Sequence, residues 1–322
     1  MKYKSIKDMP QVGFGLWKVP KDVCSNTVYR AIEAGYRHLD SASDYANEEE
    51  VGAGIKAAID QGLCKREDLW VTSKLWNTYH HPDHVKPALE KTLQDLQLDY
   101  LDLYMIHFPI SLEFVPFDQR YPPEWFNDPD SKEPVMIPSR VPLSDTWHAM
   151  EMLKTEGLAK HIGICNYSSS LLHDLMNYSE TKPEILQVES HPYLTQEKLI
   201  RLAKNYGLEV TAFSPLGSLS YEELGGAEES ESLLKNESIK SIAKDLNVSP
   251  AQLILSWALN RGTSIVVKSS NEARMKENLD ASIIKLDPFI LDQISALNIN
   301  KRYNDPGVFC EDAFNTFFPI YE

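Results

Sequence analysis

Short runs rich in Val, Ile, Leu and aromatic residues alternate with longer amphipathic runs along almost the whole chain. The β-type runs fall at 12–14, 36–40, 69–73, 100–106, 161–165, 185–188, 208–213 and 264–267. Between them the spacing predicts helices with start and stop signals in the expected order. Residues 21–34 follow Pro20 and stop before Gly35, and 48–61 stop before Gly62. The stretch 84–96 follows Pro82 and Asp83 and places Leu89, Leu93 and Leu96 on one face. Further helices are predicted at 146–155, 169–177, 196–206 and 251–260, the last launched by Ser249 and Pro250. Strand–helix alternation implies right-handed crossovers and a parallel sheet. Eight such units suffice to close a (β/α)8 TIM barrel, predicted as a single domain over residues 1–322. A doubly wound open sheet is the other architecture, but no Gly-x-Gly-x-x-Gly follows the first strand.

Two insertions break the rhythm. Residues 111–143, after the fourth strand, are rich in Pro, aromatics and acids; residues 216–236, after the seventh, are rich in Gly, Ser and Glu. Long loops after strands lie at the C-terminal face of a barrel, where binding sites form. The extended tail after Leu297 has four Phe and two Tyr and no helical period. It is expected to lie across the barrel mouth.

Composition narrows the function classes. With 32 basic and 47 acidic residues the net charge is −15, which repels nucleic acid and anionic membrane surfaces. Cys24, Cys64, Cys165 and Cys310 form no CxxC pair and read as reduced thiols, and no metal-ligand spacing appears. The first ten residues lack the apolar centre of a signal peptide, and no apolar stretch approaches bilayer length. A cytoplasmic protein without a membrane partner is expected.

The polar residues that fall at strand ends can share one site although far apart in sequence. Asp40 ends the second predicted strand and Tyr45 follows it; Lys74 ends the third and His107 the fourth. A lysine ammonium beside a tyrosine lowers the phenol pKa toward the working range, and Asp40 can hold Lys74 charged. A neutral His107 can then fix a carbonyl oxygen. The set suits protonation of a carbonyl during reduction, and reduction without a metal or flavin signal implies a nicotinamide. Lys268, Ser269, Ser270, Asn271, Arg274 and Asn278 gather at the last strand-to-helix junction, where an anion such as phosphate is favoured.

Ordered motifs now carry a resemblance. Among them are Gly35-Tyr-Arg-His-Leu-Asp40, Asp44-Tyr45-Ala-Asn-Glu, Val71-Thr-Ser-Lys-Leu-Trp-Asn77 and Asp99-Tyr-Leu-Asp-Leu-Tyr-Met-Ile-His-Phe-Pro109. Ile162-Gly-Ile-Cys-Asn166, Gln187-Val-Glu-Ser-His-Pro-Tyr193 and Lys268-Ser-Ser-Asn-Glu-Ala-Arg274 continue the series. The chain resembles the aldo-keto reductases over essentially its whole length, and within them the xylose reductases. The resemblance implies a catalytic tetrad of Asp40, Tyr45, Lys74 and His107, with Tyr45 as proton donor. It implies that Asn166 and Gln187 hold the nicotinamide carboxamide, that Phe213 stacks on the ring, and that Ser214, Leu216 and Ser218 line the pyrophosphate. Lys268, Ser269, Asn271 and Arg274 would hold the 2′-phosphate and adenine, Asn278 would contact the adenine, and the cofactor would be NADPH. If Glu223 accepts ribose hydroxyls, NADH serves as a second cofactor. Trp17, Trp76 and Phe108 would wall the substrate pocket, with Asp44 and Asn304 as polar contacts for an open-chain aldose. Relatives of this kind are monomers or homodimers.

Blander readings stand beside these. Asp44 and Glu223 also read as solvated acids, the three aromatics as core, and 48–50 as a negative first turn complementing a helix dipole. The chain departs from the family at Cys165, where serine is common, at Phe213, where tyrosine is common, and in the tail after Pro306. The expected reaction is NADPH-dependent reduction of an aldose such as xylose. The rivals are a general aldehyde or phosphorylated-sugar reductase, a nucleotide-sensing subunit with little turnover, and a phosphate-binding barrel isomerase.

Overall fold

In the computed structural model, which describes residue 3 and residues 5–321, eight parallel strands close into a barrel in chain order. They are β1 (Val12–Gly15), β2 (His38–Asp40), β3 (Trp70–Leu75), β4 (Leu101–Ile106), β5 (Ala159–Cys165), β6 (Ile185–Glu189), β7 (Glu209–Phe213) and β8 (Ser264–Val267). β8 pairs back with β1, Val12 opposite Ile265, which closes the ring. The predicted strands agree in number and order. β2 is shorter than expected because Tyr36 still belongs to the turn closing the preceding helix, its N–H bonding the Ala31 carbonyl at 3.0 Å.

Strand alternation sorts side chains into layers within the barrel. At the base, Tyr3, Ile6 and Met9 pack against Trp70, Leu103, Met105 and Ile185. Trp70 stacks on His161, with ring centroids 5.2 Å apart. Gly163 belongs to this crowded interior: a Cβ there would lie 2.8 Å from the Ile185 carbonyl and overlap its side chain. One step up, His38 Nε2 meets Thr72 Oγ1 at 3.2 Å. The same alternation brings Asp40, Lys74, Cys165 and Gln187 to the top layer.

The helices are α1 (Lys21–Glu33), α2 (Glu48–Asp60), α3 (Pro82–Leu96), α4 (Leu143–Thr155), α5 (Ser169–Tyr178) and α6 (Glu197–Asn205). α7 (Glu237–Asp245), α8 (Pro250–Asn260), α9 (Glu272–Asp280), α10 (Pro288–Ser295) and α11 (Pro306–Phe314) complete the set. Their starts follow local chemistry. Ser249 and Gln252 form a capping box on α8, and the Asn271 and Asp287 side chains cap α9 and α10. One expectation changes here. The tail is not without helix: Asp305 caps α11 and Pro306 opens it. Glu48 stands in the first turn of α2 as expected, but its side chain is buried, accepting from Ser73 Oγ at 2.6 Å and Thr92 Oγ1 at 2.9 Å. Burial pushes its pKa up to about 7. Among the described residues no helix is long and apolar enough to cross a membrane.

Candidate active site

The floor of the barrel mouth is built from neighbouring strand ends. Asp40 closes β2, Lys74 lies near the end of β3, and His107 follows β4. Cys165 closes β5 and stands opposite Gln187 of β6. Tyr45 comes from a short helical turn after β2, which Ala46 ends in the left-handed region at φ 59°. That loop is held from the far side by Asn47, whose amide donates to the Leu16 and Val19 carbonyls at 3.0 and 3.1 Å.

Lys74 uses all three ammonium protons here. Its Nζ donates to Asp40 Oδ1 at 2.6 Å, to the Ser41 carbonyl at 2.8 Å and to Tyr45 Oη at 3.1 Å. Gln187 Nε2 donates to the other Asp40 oxygen at 2.8 Å. Lys74 is fully buried, which works against its charge, yet Asp40 and Tyr45 more than offset this and its pKa is raised. Burial and then the Lys74 charge hold His107 well below the usual histidine range, so its ring is neutral at pH 7. Its Nδ1 is buried and has no hydrogen-bond partner among the described residues. The sequence predicts a Tyr45 pKa lowered toward neutrality. The structure corrects this: burial outweighs the Lys74 charge and raises it. The phenol is therefore held as a proton carrier, with Lys74 ready to stabilise the phenolate once the proton leaves.

Above this floor opens a cavity of about 630 Å³. Tyr45, His107, Asn166, Gln187, Phe213, Ser214 and Leu216 line it, as do Trp17, Asp44, Phe108 and Asn304 on the wider side. Burial, and then Glu124, pushes Asp44 up to about 7. Asn304 donates from Nδ2 to Tyr221 Oη at 3.4 Å, while its buried Oδ1 has no partner among the described residues. Asn166, at φ 64°, donates from Nδ2 to the His107 carbonyl at 2.9 Å and contacts Cys165 Sγ at 3.2 Å.

Glu223 and Lys268 lie at the outer end. Glu223 pairs with Lys18 at 2.9 Å, Lys18 also donates to the Ser220 carbonyl at 2.8 Å, and Lys268 reaches the Lys18 carbonyl at 3.3 Å. The loop after β7 is thereby tied across the trough to the loop after β1.

Several expected contacts lie off the cavity surface. Trp76 is buried behind it, donating to the Glu124 carbonyl at 2.9 Å and packing edge-on against His107 and Phe108. Ser218 is buried and donates to Glu222 at 2.9 Å. Ser269 is half-buried, and Ser270, Asn271 and Arg274 are exposed around the start of α9. Asn278 is buried beside the Tyr36 hydroxyl.

Sequence reasoning missed other residues at the mouth. Trp125, from the insertion after β4, meets Trp76, Phe108 and Phe309 at 4.8, 5.0 and 5.3 Å between ring centroids. Phe309 and Phe314 of α11 also line the cavity, so the tail does lie across the mouth. Tyr221 stacks on Tyr303 at 5.8 Å and bonds Ser214 Oγ at 3.0 Å. The aromatic density of 111–143 and of the tail was the available signal; the pairing of these two distant segments was not.

Fold and floor together define a (β/α)8-barrel enzyme with an acid–base group at the C-terminal mouth, where barrel chemistry is performed. The aldo/keto reductase family model matches residues 11–299, and the chain belongs to that family. It is 48% identical over 315 residues to a NAD(P)H-dependent D-xylose reductase of Kluyveromyces lactis, covering 96% of this chain and 95% of that protein. Identity to an enzyme of the same name from Scheffersomyces stipitis is also 48%, covering 95% of this chain and 96% of that one. An NADPH-dependent aldose reductase of Saccharomyces cerevisiae is 46% identical over 96% of this chain and 96% of its own. Among solved structures, an aldose reductase from Schistosoma japonicum superposes with a TM-score of 0.84 at 33% identity, covering 98% of this chain and 96% of that one.

Proposed function

We propose that this protein reduces the aldehyde of an open-chain aldose, with xylose as the reference substrate, using NADPH. The observation that carries the reading is the Lys74 ammonium bonded to both Asp40 and Tyr45 beneath the cavity, next to a neutral His107. The named activities of the xylose and aldose reductases at 46–48% identity support it.

The residues present suit a nicotinamide nucleotide. Asn166 and Gln187 offer amides on the floor, Phe213 offers a ring face, and Lys18 and Lys268 place positive charge at the outer end. Bound NADPH would supply the hydride. Tyr45 gives its proton to the carbonyl oxygen, and Lys74 stabilises the phenolate left behind. Asp40 keeps Lys74 charged and aimed, and Gln187 holds the second Asp40 oxygen so that the carboxylate does not turn away. His107 hydrogen-bonds the carbonyl oxygen and fixes it against the Tyr45 hydroxyl. Asp44 and Asn304 meet the sugar hydroxyls, while Trp17, Phe108 and Trp125 exclude water. Lys268 and Arg274 read the 2′-phosphate, and NADH serves as the weaker cofactor. The protein acts in the cytoplasm on a small-molecule substrate.

The test is oxidation of NADPH, followed by loss of reduced-nicotinamide absorbance, with xylose, with an aromatic aldehyde and without substrate, then repeated with NADH. Turnover of xylose is expected. Turnover of the aromatic aldehyde alone would discard the sugar, and turnover of neither would discard the reductase.

A further inference from the structure

The end of the chain returns to the floor of the site. Tyr321 Oη lies 3.1 Å from Asn166 Oδ1 and 3.4 Å from the Asn166 carbonyl. The direction of this bond follows from Asn166's other partner. The His107 carbonyl can only accept, so the Asn166 Nδ2 must face it, and Oδ1 must then face Tyr321, whose hydroxyl donates. Tyr321 is not among the residues lining the cavity, whereas Asn166 is, and Asn166 Oδ1 has a second lone pair with which to accept from a ligand.

Tyr321 is itself held. The Arg302 guanidinium lies over its ring at 3.6 Å to the centroid. The next two residues are pinned by a buried carboxylate. Glu189 Oε1 accepts from the Tyr303 N–H at 2.9 Å and Oε2 from the Asn304 N–H at 2.8 Å. His191 Nε2 lies 2.8 Å from the same Oε1. The path therefore runs from the end of β6 through the 302–304 segment and Tyr321 to Asn166, which follows β5.

We propose that Tyr321 is a positioning residue for the reduction: its hydroxyl fixes the Asn166 amide so that Oδ1 faces the carboxamide of the nicotinamide. This rests on the NADPH reading above and adds to it a residue from the tail. Asn166 sits on a loop in the left-handed region, its amide held at Nδ2 by the His107 carbonyl, and the Tyr321 hydroxyl adds a second tether at Oδ1. The Arg302 stack aims the tyrosine, and Glu189 fixes Arg302 through its neighbours.

Tyr321→Phe keeps the ring and its stack and removes only the hydroxyl. NADPH and adenosine 2′,5′-bisphosphate, which lacks the nicotinamide, are titrated against the wild type and the variant by quenching of tryptophan fluorescence. The variant is expected to bind NADPH roughly five- to tenfold more weakly, the loss of about one hydrogen bond, with bisphosphate affinity unchanged. Arg302→Leu is expected to reproduce the same selective loss. Equal weakening of both ligands would reduce the tail to a structural element and overturn the proposal. Unchanged NADPH affinity would overturn it too, and tighter binding would do so by making the hydroxyl a competitor of the cofactor. Failure of the wild type to bind NADPH would instead remove the functional reading underneath, a result separate from these.

Discussion

Lys74→Met separates what the buried ion pair does for the fold from what it does for the chemistry. The side chain keeps its length and loses its charge at a position with no solvent exposure, facing an Asp40 side chain only 3% exposed. At an effective dielectric constant of about 20, the attraction across 2.6 Å is about 6 kcal/mol. That is comparable with the cost of taking two charges out of water, so the intact pair contributes little net stability. Removing one partner is different, because Asp40 is then buried with Gln187 as its remaining side-chain donor among the described residues. The expected loss is about 3–5 kcal/mol of stability, read as a lower urea midpoint. Adding Asp40→Asn removes the orphaned charge and should return most of that loss. Turnover should not return. Without an ammonium to stabilise the Tyr45 phenolate, both variants should fall by roughly 10²–10⁴ in kcat. The reasoning fails if the double variant is no more stable than Lys74→Met, or if either variant keeps turnover within tenfold of wild type.

Tyr45→Phe should bind NADPH as before and lose aldehyde turnover by roughly 10²–10⁴, since only the proton donor is removed; stopped-flow binding beside steady-state rates will tell. Lys268→Ala and Arg274→Ala should each weaken NADPH by about tenfold or more while barely affecting NADH, and equal losses for both cofactors would mean these side chains do not read the 2′-phosphate. Glu48 has its pKa raised from 4.5 to about 7, so between those values the native chain binds more protons than the unfolded one. Stability then falls as pH rises through that window, and Glu48→Gln should flatten the fall. Melting at about pH 5 and about pH 8 compares the two proteins, and an identical pH dependence would contradict the assignment.

The barrel was legible because each strand is short, apolar and bounded by a helix with a proline, serine or glycine signal. The gathering of Asp40, Tyr45, Lys74 and His107 on the floor was legible for the same reason: a polar residue that ends an apolar run stands out, and strand ends converge by geometry. Where the signals are local, as at Ser249 and Pro250 opening α8, expectation and structure agree. α11 escaped notice although Asp305 and Pro306 are an ordinary helix start, because apolar residues recur all round it rather than along one face. Tyr45 shows a different limit. The sequence places a lysine beside a phenol, but the burial that outweighs that lysine is a property of the packed loop. Contacts such as Tyr321 with Asn166, 155 residues apart, have no local trace at all.

The Gln187–Asp40 bond joins β6 to β2, strands that share no ladder and stand on different sides of the ring. Through Lys74 the same network takes in β3 and the Tyr45 loop. Asp40, Lys74, Gln187 and the Tyr45 hydroxyl thus act as a cross-brace at the mouth of a filled cylinder, and the cylinder's roundness and their alignment are one mechanical variable. A substitution on the outer wall that ovalises the barrel will register at Tyr45 without touching it. Directed evolution of this scaffold should accordingly find activity-restoring changes in helix–strand packing as readily as in the pocket.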